Sequence, residues 1–201
     1  LQNKVPVITT FHGSDINFWY LNIISSIVNT FSRQSIFVSK KLKDKIIFRR
    51  NKDKMQIIPC GIDLSIFYPI EKQSARNYFD LSSSKKYILF ASSFSTKVKN
   101  YPLANKAIKL LNNSLVELLE LKNYSRLEVN LLMNAVDVAL MTSFSEGSPQ
   151  FIKEAMAVNC PIVSTDVGDV KKVIGNTNGC YICSYNSSDV ADKIQLAMAF
   201  V

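Results

Sequence analysis

Short apolar runs alternate along this chain with segments of helical periodicity, and that alternation narrows the folds open to it more than any other feature. Val5-Pro6-Val7-Ile8-Thr9-Thr10, Ser35 to Val38, Met55 to Pro59, Tyr87 to Ala91, Val116 to Leu121, Val138 to Thr142 and Pro161 to Thr165 read as strands. Leu103 to Leu111 with Pro102 in its first turn, Glu128 to Val136, Pro149 to Val158 and Asp189 to Phe200 read as helices. Short strands separated by helices of about ten residues are the pattern of βα units on a parallel sheet. The fold class predicted is therefore α/β, with ligands expected in the crevice at the carboxyl ends of the strands.

Between the first two strands lies Phe11-His12-Gly13-Ser14-Asp15, a polar turn whose Ser14 or Asp15 can cap a helix. Ile16, Tyr20, Ile23, Ile24, Ile27, Val28 and Phe31 then recur at amphipathic spacing, and core packing is the plain expectation for so broad an apolar face. Ser39 is placed to cap a further helix running to about Arg50. Phe67 to Lys86, with Pro69, Ser82-Ser83-Ser84 and Lys85-Lys86, reads as a hinge region. The chain opens on Leu1 and enters a strand within a few residues, which suggests a fragment of a longer protein.

A 47% hydrophobic composition excludes intrinsic disorder. Subtracting 16 acidic from 24 basic side chains leaves +8, which favours an anionic partner without choosing among nucleotide diphosphate, nucleic acid and membrane surface. Cys60, Cys160, Cys180 and Cys183 are too few and too uneven for a disulfide framework and read as reduced and structural. Cys180 and Cys183 form a C-x-x-C, but with no second pair and a single histidine, His12, no zinc site is predicted. The sequence has neither a run of about 18 apolar residues nor a signal-peptide pattern. A soluble, cytoplasmic protein is expected.

Chemistry concentrates in Thr142-Ser143-Phe144-Ser145-Glu146-Gly147-Ser148-Pro149 and the helix through Glu154-Ala155-Met156-Ala157. The segment follows a strand, turns on Gly147, and starts a helix with Ser148 as expected N-cap and Pro149 at the first helical position. Free amides at such a terminus favour an anion. Glu146 and Glu154 stand eight residues apart, Glu154 at the edge of the buried arc of the wheel. Carboxylates there suit sugar and ribose hydroxyls, while Lys97 and Lys99 offer cations for phosphate. The plain alternative makes Glu146 a loop charge and Glu154 a solvated helix residue.

Ser145-Glu146-Gly147-Ser148-Pro149 through Ala157, followed by Pro161-Ile162-Val163-Ser164-Thr165-Asp166-Val167-Gly168, resembles the E-x7-E region of the retaining GT-B glycosyltransferases of family 4. Ile58-Pro59-Cys60-Gly61-Ile62-Asp63 with Phe67 and Pro69 resembles that family's P-N-G-[VI]-D segment, and Phe11-His12-Gly13-Ser14-Asp15 its H-G-S-D loop. The resemblance implies two Rossmann-like domains. Residues 1–70 would be the second half of the N-terminal, acceptor-side domain, 71–86 a linker, and 87–201 the nucleotide-sugar-binding domain. It implies that Glu154 binds ribose, Glu146 the donor sugar, and the amides around Gly147 and Ser148 sugar and phosphate. By the same resemblance Lys99 meets the diphosphate and His12 lies near the reacting sugar, with no metal or other cofactor. Relatives show Gly-Arg where this chain has Ser92-Ser93, so Ser93 stands for a diphosphate-pairing arginine, and Lys97 compensates or donor binding weakens. Cys60 replaces an asparagine, a strand of the C-terminal domain is missing between Leu111 and Val116, and the family's first βα units have no counterpart.

The function expected is transfer of a sugar from a nucleotide-diphosphate donor to a glycan or lipid-linked hydroxyl. The alternative is a GT-B relative that binds UDP-sugar without transfer, as an epimerase or a donor-binding module. The lysines and arginines of 40–54, opposite Leu42 and Ile46, read as a solvated face first and a peripheral membrane contact second. Phe48 is the lone aromatic in that run, too few for stacking on single-stranded nucleic acid, and no nucleic-acid partner is predicted.

Overall fold

The computed structural model describes residues 5–48 and 52–200. They divide into two compact units: the chain through Gly61 with Ser145–Pro149 and Val167–Asp169, and Ile62–Phe144 with Gln150–Asp166 and the chain from Val170 onward.

In the first unit, β1 (Ile8–Phe11), β2 (Gln34–Phe37) and β3 (Met55–Ile57) form a parallel sheet in that order. The register sets Phe11 beside Phe37, whose rings stack at 5.0 Å, and Ile16, Val38, Leu42, Ile46 and Met55 complete the core around them. The predicted helix after β1 is two helices, α1 (Ser14–Asn17) and α2 (Trp19–Phe31), parted where Phe18 turns extended. Ser39 caps α3 (Lys40–Lys45) by accepting from the Leu42 amide at 3.3 Å. That helix stops at Lys45, short of the predicted end, and Arg49 and Arg50 lie outside the described residues.

The expectation that α2 buries its apolar face is overturned. Its buried residues are Asn22, Ser25, Ser26 and Asn29, whereas Tyr20, Ile23, Ile24, Ile27, Val28 and Phe31 stay 38% to 63% exposed. Hydrogen bonding explains the inversion. Asn22 Nδ2 donates to the Lys45 carbonyl and Asn29 Nδ2 to that of Phe48, both at 3.0 Å. The Ile47 amide donates to Ser26 Oγ at 3.0 Å, and Ser25 Oγ donates to the Asp15 carbonyl at 2.8 Å. The described residues just after α3, Ile46–Phe48, form no strand or helix, and the polar stripe of α2 takes their backbone groups together with the last carbonyl of α3.

The second unit carries a five-stranded parallel sheet in the order β5-β4-β6-β7-β8, built from β4 (Lys86–Phe90), β5 (Val116–Glu120), β6 (Val138–Met141), β7 (Ile162–Thr165) and β8 (Cys180–Cys183). Helices α5 (Tyr101–Leu110), α6 (Arg126–Ala135), α7 (Gln150–Ala157), α8 (Val170–Ile174) and α9 (Ser187–Met198) connect and flank the strands. Ile88, Phe90, Val138, Leu140 and Val163 form a core with Ala104 and Ala107 of α5 and Val190, Ile194 and Ala197 of α9. From β4 the chain moves to β5 on one side and then to β6 on the other, so the switch point where such sheets bind ligands lies between β4 and β6.

Inside the stretch predicted as linker the structure has a helix, α4 (Lys72–Tyr78). It is held by Arg76, whose Nη2 pairs with Asp137 Oδ2 at 2.8 Å and whose Nε donates to the Ala135 carbonyl at 2.9 Å. Burial pushes the Asp137 carboxyl up, but the Tyr87 amide, Lys72 and Arg76 outweigh it and hold the group below the usual carboxylate range. The cysteines are free thiols, and burial pushes Cys160 and Cys183 up to about 12, as suits packing residues. Among the described residues no helix is long and apolar enough to cross a membrane, and no cluster of His, Cys, Asp and Glu could hold a metal ion.

Candidate functional site

The first unit gathers four of the predicted site residues. Asp15 accepts from the amides of His12 at 2.9 Å and Gly13 at 2.6 Å, which shapes the turn after β1 and leaves the His12 side chain exposed. Its Nδ1 lies 3.9 Å from Cys60 Sγ, the position where an asparagine was expected. Gly147 packs backbone to backbone against this turn: a methyl group there would run into the His12 carbonyl oxygen and come 3.2 Å from Leu42 Cδ1. Any other residue at 147 would drive the two loops apart. Glu146 is half-buried, and its carbonyl accepts from Asn17 Nδ2 at 3.5 Å.

A third loop joins them. Gly168 has φ +55°, and an added Cβ would lie 2.5 Å from the Gly147 carbonyl oxygen, so only glycine fits both the backbone and the space. Next to it Asp169 accepts from Ser148 Oγ at 2.7 Å. Ser148 had been expected as a helix cap, and this bond shows its hydroxyl proton directed at Asp169.

The remaining predicted residues lie in the second unit, at and around the carboxyl ends of its strands. Past β4, Ser93 Oγ and the Phe94 amide both donate to Glu120 Oε1 at 2.7 Å, and the hydroxyl, then the amide, hold that carboxyl below its ordinary range. Where the resemblance implies a guanidinium, this chain has a hydroxyl directed at a carboxylate. Lys97 and Lys99 bracket a single 3-10 turn that ends in left-handed Asn100. The turn is tied to the end of β6, since Thr142 Oγ1 donates to the Lys99 and Asn100 carbonyls at 3.0 and 3.1 Å and the Phe144 amide to that of Val98 at 2.9 Å. Lys97 is exposed and Lys99 half-buried at the switch point.

Glu154 is only 7% exposed, which excludes the solvated alternative. Burial pushes its carboxyl up, and Arg126 Nη2, 3.2 Å from Oε1, works against that shift. The guanidinium itself sits 4.9 Å over the Phe67 ring. The sequence reading missed Arg126. Its signal is the capping box of Ser125 and Glu128, which starts α6 and puts Arg126 in the first turn, although only the fold brings α6 to α7. Also missed is the stacked pair Phe144 and Tyr185, centroids 5.6 Å apart, with the Tyr185 hydroxyl donating to the Ser143 carbonyl at 2.9 Å.

Residues 120–199 match the family model described as glycosyl transferases group 1. The chain is 24% identical over 95% of its length to TuaC of Bacillus subtilis (strain 168), named as a teichuronic acid biosynthesis glycosyltransferase, and covers 54% of that protein. It is 23% identical over 71% of its length to the D-inositol 3-phosphate glycosyltransferase of Paenarthrobacter aurescens, covering 43% of it. The chain thus spans about half the length of the curated relatives it matches. Among solved structures, sucrose-phosphate synthase of Thermosynechococcus elongatus superposes with TM-score 0.78 at 15% identity, over 96% of this chain and 58% of that one. HepE of Anabaena, in complex with UDP and glucose, gives TM-score 0.76 at 14% identity, over 98% and 66%. Residues 120–199 are thus similar to the group 1 glycosyl transferases, and the parallel-sheet units share the GT-B fold of these solved structures.

Proposed function

We propose that the chain is the donor-binding portion of a retaining glycosyltransferase, which moves a sugar from a nucleotide-diphosphate donor to a glycan or lipid-linked hydroxyl. The observation that carries this is Glu154: a buried carboxyl paired with Arg126, eight residues after the loop carboxylate Glu146. A carboxylate so placed accepts from neutral hydroxyls such as those of ribose and repels phosphate. Lys99 and the amides around Gly147 and Ser148 would take the charge that builds on the diphosphate as the glycosidic bond breaks. The acceptor hydroxyl would attack the anomeric carbon from the face the diphosphate leaves, with Glu146 and His12 at the sugar. No resident metal enters this scheme, because lysine and amides supply the positive field.

Calorimetric titration of the chain and of Glu154→Ala with UDP, GDP and ADP tests this. One nucleotide should bind saturably, and the variant should bind it at least about tenfold more weakly, the loss expected for a charge-assisted hydrogen bond. A folded chain that binds none of the three would overturn the proposal.

Ser93 favours a second reading, binding without transfer, because a hydroxyl bonded to Glu120 lacks the fixed charge of an arginine fork. UDP-sugar consumed without acceptor would indicate an epimerase or hydrolase, and binding without consumption a donor-binding module. A cytoplasmic, membrane-facing location belongs to the same proposal. Leu42 and Ile46 are buried in the core of their unit, so contact of 40–54 with anionic lipid would be electrostatic, through exposed Lys40, Lys41, Lys45 and Lys54.

A further inference from the structure

We infer that Arg126 is a positioning residue of the donor site: clamped on the Phe67 ring, it aims the Glu154 carboxylate at its hydroxyl ligand, and through it the segment Asp63–Phe67 takes part in nucleotide binding. The inference rests on the donor-binding proposal above and assigns what holds the ribose end of that site in place.

The segment is built to hold a ring. Asp63 Oδ1 accepts from the Ser65 amide at 2.9 Å and from Ser65 Oγ at 2.6 Å, and the Asp63 carbonyl accepts from the amides of Ile66 at 3.2 Å and Phe67 at 3.0 Å. Phe67, at the end of this turn, is fully buried. Past it, the Tyr68 amide donates to Asn130 Oδ1 at 3.3 Å and the Ile70 amide to Asn134 Oδ1 at 2.7 Å, so the segment is pinned to α6, the helix that carries Arg126. The guanidinium carbon lies 4.9 Å over the Phe67 ring while Nη2 reaches Glu154 Oε1 at 3.2 Å. One side of the cation rests on an aromatic face, and its edge meets a carboxylate of α7.

Two exposed charges in such a pair contribute little. Here the Glu154 side chain is 9% exposed against 57% for Arg126, so the pair joins a buried carboxyl to a cation that still reaches water. Taking the cation away leaves the desolvation of that carboxyl without an offset, the costly way to break such a pair. The elements packed most closely on α7 are α6, α8 and β7. Of their charged side chains Arg126 acts on Glu154, while Glu128 on α6, Lys171 and Lys172 on α8, and Lys153 on α7 itself do not shift it. Asp63, held below its usual range by Ser65 first and by Arg126 to a lesser extent, lies in the field of the same guanidinium without acting on Glu154.

Two measurements test this on the chain, for wild type, Arg126→Ala, Arg126→Lys, Phe67→Leu, Glu154→Gln and the double variant Arg126→Ala with Glu154→Gln, each shown to be folded by circular dichroism. In the first, carbon NMR follows the Glu154 carboxyl, assigned from Glu154→Gln, through an acid titration without ligand. Arg126→Ala should move its midpoint to higher pH, because burial then acts unopposed, and Arg126→Lys should move it less, since the charge remains. In the second, calorimetry with UDP, GDP and ADP reads affinity. For the nucleotide that binds, Arg126→Ala should cost about tenfold and Phe67→Leu about threefold, while Arg126→Ala should cost nothing further in the Glu154→Gln background, since Arg126 acts through that carboxylate. As pH falls, affinity should be lost earlier in Arg126→Ala than in wild type. An unmoved midpoint, or losses that add in the double variant, would overturn the inference while leaving the donor site standing. A Phe67→Leu variant that binds as wild type does would overturn the part given to the segment. A wild-type chain that binds none of the three nucleotides would overturn the donor reading, and Arg126 as a positioning residue with it, even where the midpoint moves.

Discussion

Helices α2 and α9 each carry an apolar face and treat it in opposite ways. In α9 the buried positions are Val190, Ala191, Ile194 and Ala197, packed on the strands of the second unit. In α2 they are Asn22, Ser25, Ser26 and Asn29, while isoleucines point to solvent. Periodicity tells which face of a helix is apolar, not which face is covered. Beside α9 lies a sheet whose backbone is satisfied by its own ladder, so only side-chain burial is left to gain. Beside α2 run the last residue of α3 and the irregular Ile46–Phe48 stretch, whose carbonyls and amide need partners, and asparagine and serine supply them.

The sharpest way to break this contrast is to remove one buried group from each helix. Ile194 is fully buried, so Ile194→Ala should destabilise by about 2–5 kcal/mol through lost transfer energy and the cavity left behind. Urea unfolding of the chain, followed by circular dichroism, measures it, and a loss under about 1 kcal/mol would mean that α9 is not held as its contacts imply. Ser26→Ala takes away a smaller group but orphans the Ile47 amide and Asn22 Oδ1. About 1–3 kcal/mol is expected, the desolvation cost of leaving a buried polar group unmade. A neutral result there would show that the polar stripe does not fix α2.

The same contrast explains what could be read in advance. Strands such as Val138–Met141 and Ile162–Thr165 are legible because fully buried parallel strands need continuous apolar runs. Helix α4 was illegible: Lys-Gln-Ser-Ala-Arg-Asn-Tyr has no apolar stripe, and what holds it is the pairing of Arg76 with Asp137, 61 residues on. Strand β8 was missed because Cys-Tyr-Ile-Cys is four residues with no alternation to distinguish it. At the site, the eight-residue spacing of Glu146 and Glu154 is local and was visible. Arg126, Glu120 and Asp169 were not, because each acts through a partner brought close by the fold. Sequence reads a site as far as one loop and one helix carry it.

The smallest expected effect tests the other half of the contrast. Ile24 is 57% exposed on α2, and Ile24→Gln replaces it with a residue of comparable or better helix propensity. If the apolar face meets only water in this chain, unfolding free energy should move by no more than about 0.5 kcal/mol, the usual range for a surface substitution. The exchange should also lessen self-association in sedimentation, since a contiguous exposed apolar face is a sticky one. A loss above about 1 kcal/mol would place Ile24 among covered residues, and the inversion of α2 would then fail on its apolar side however well its polar side is bonded.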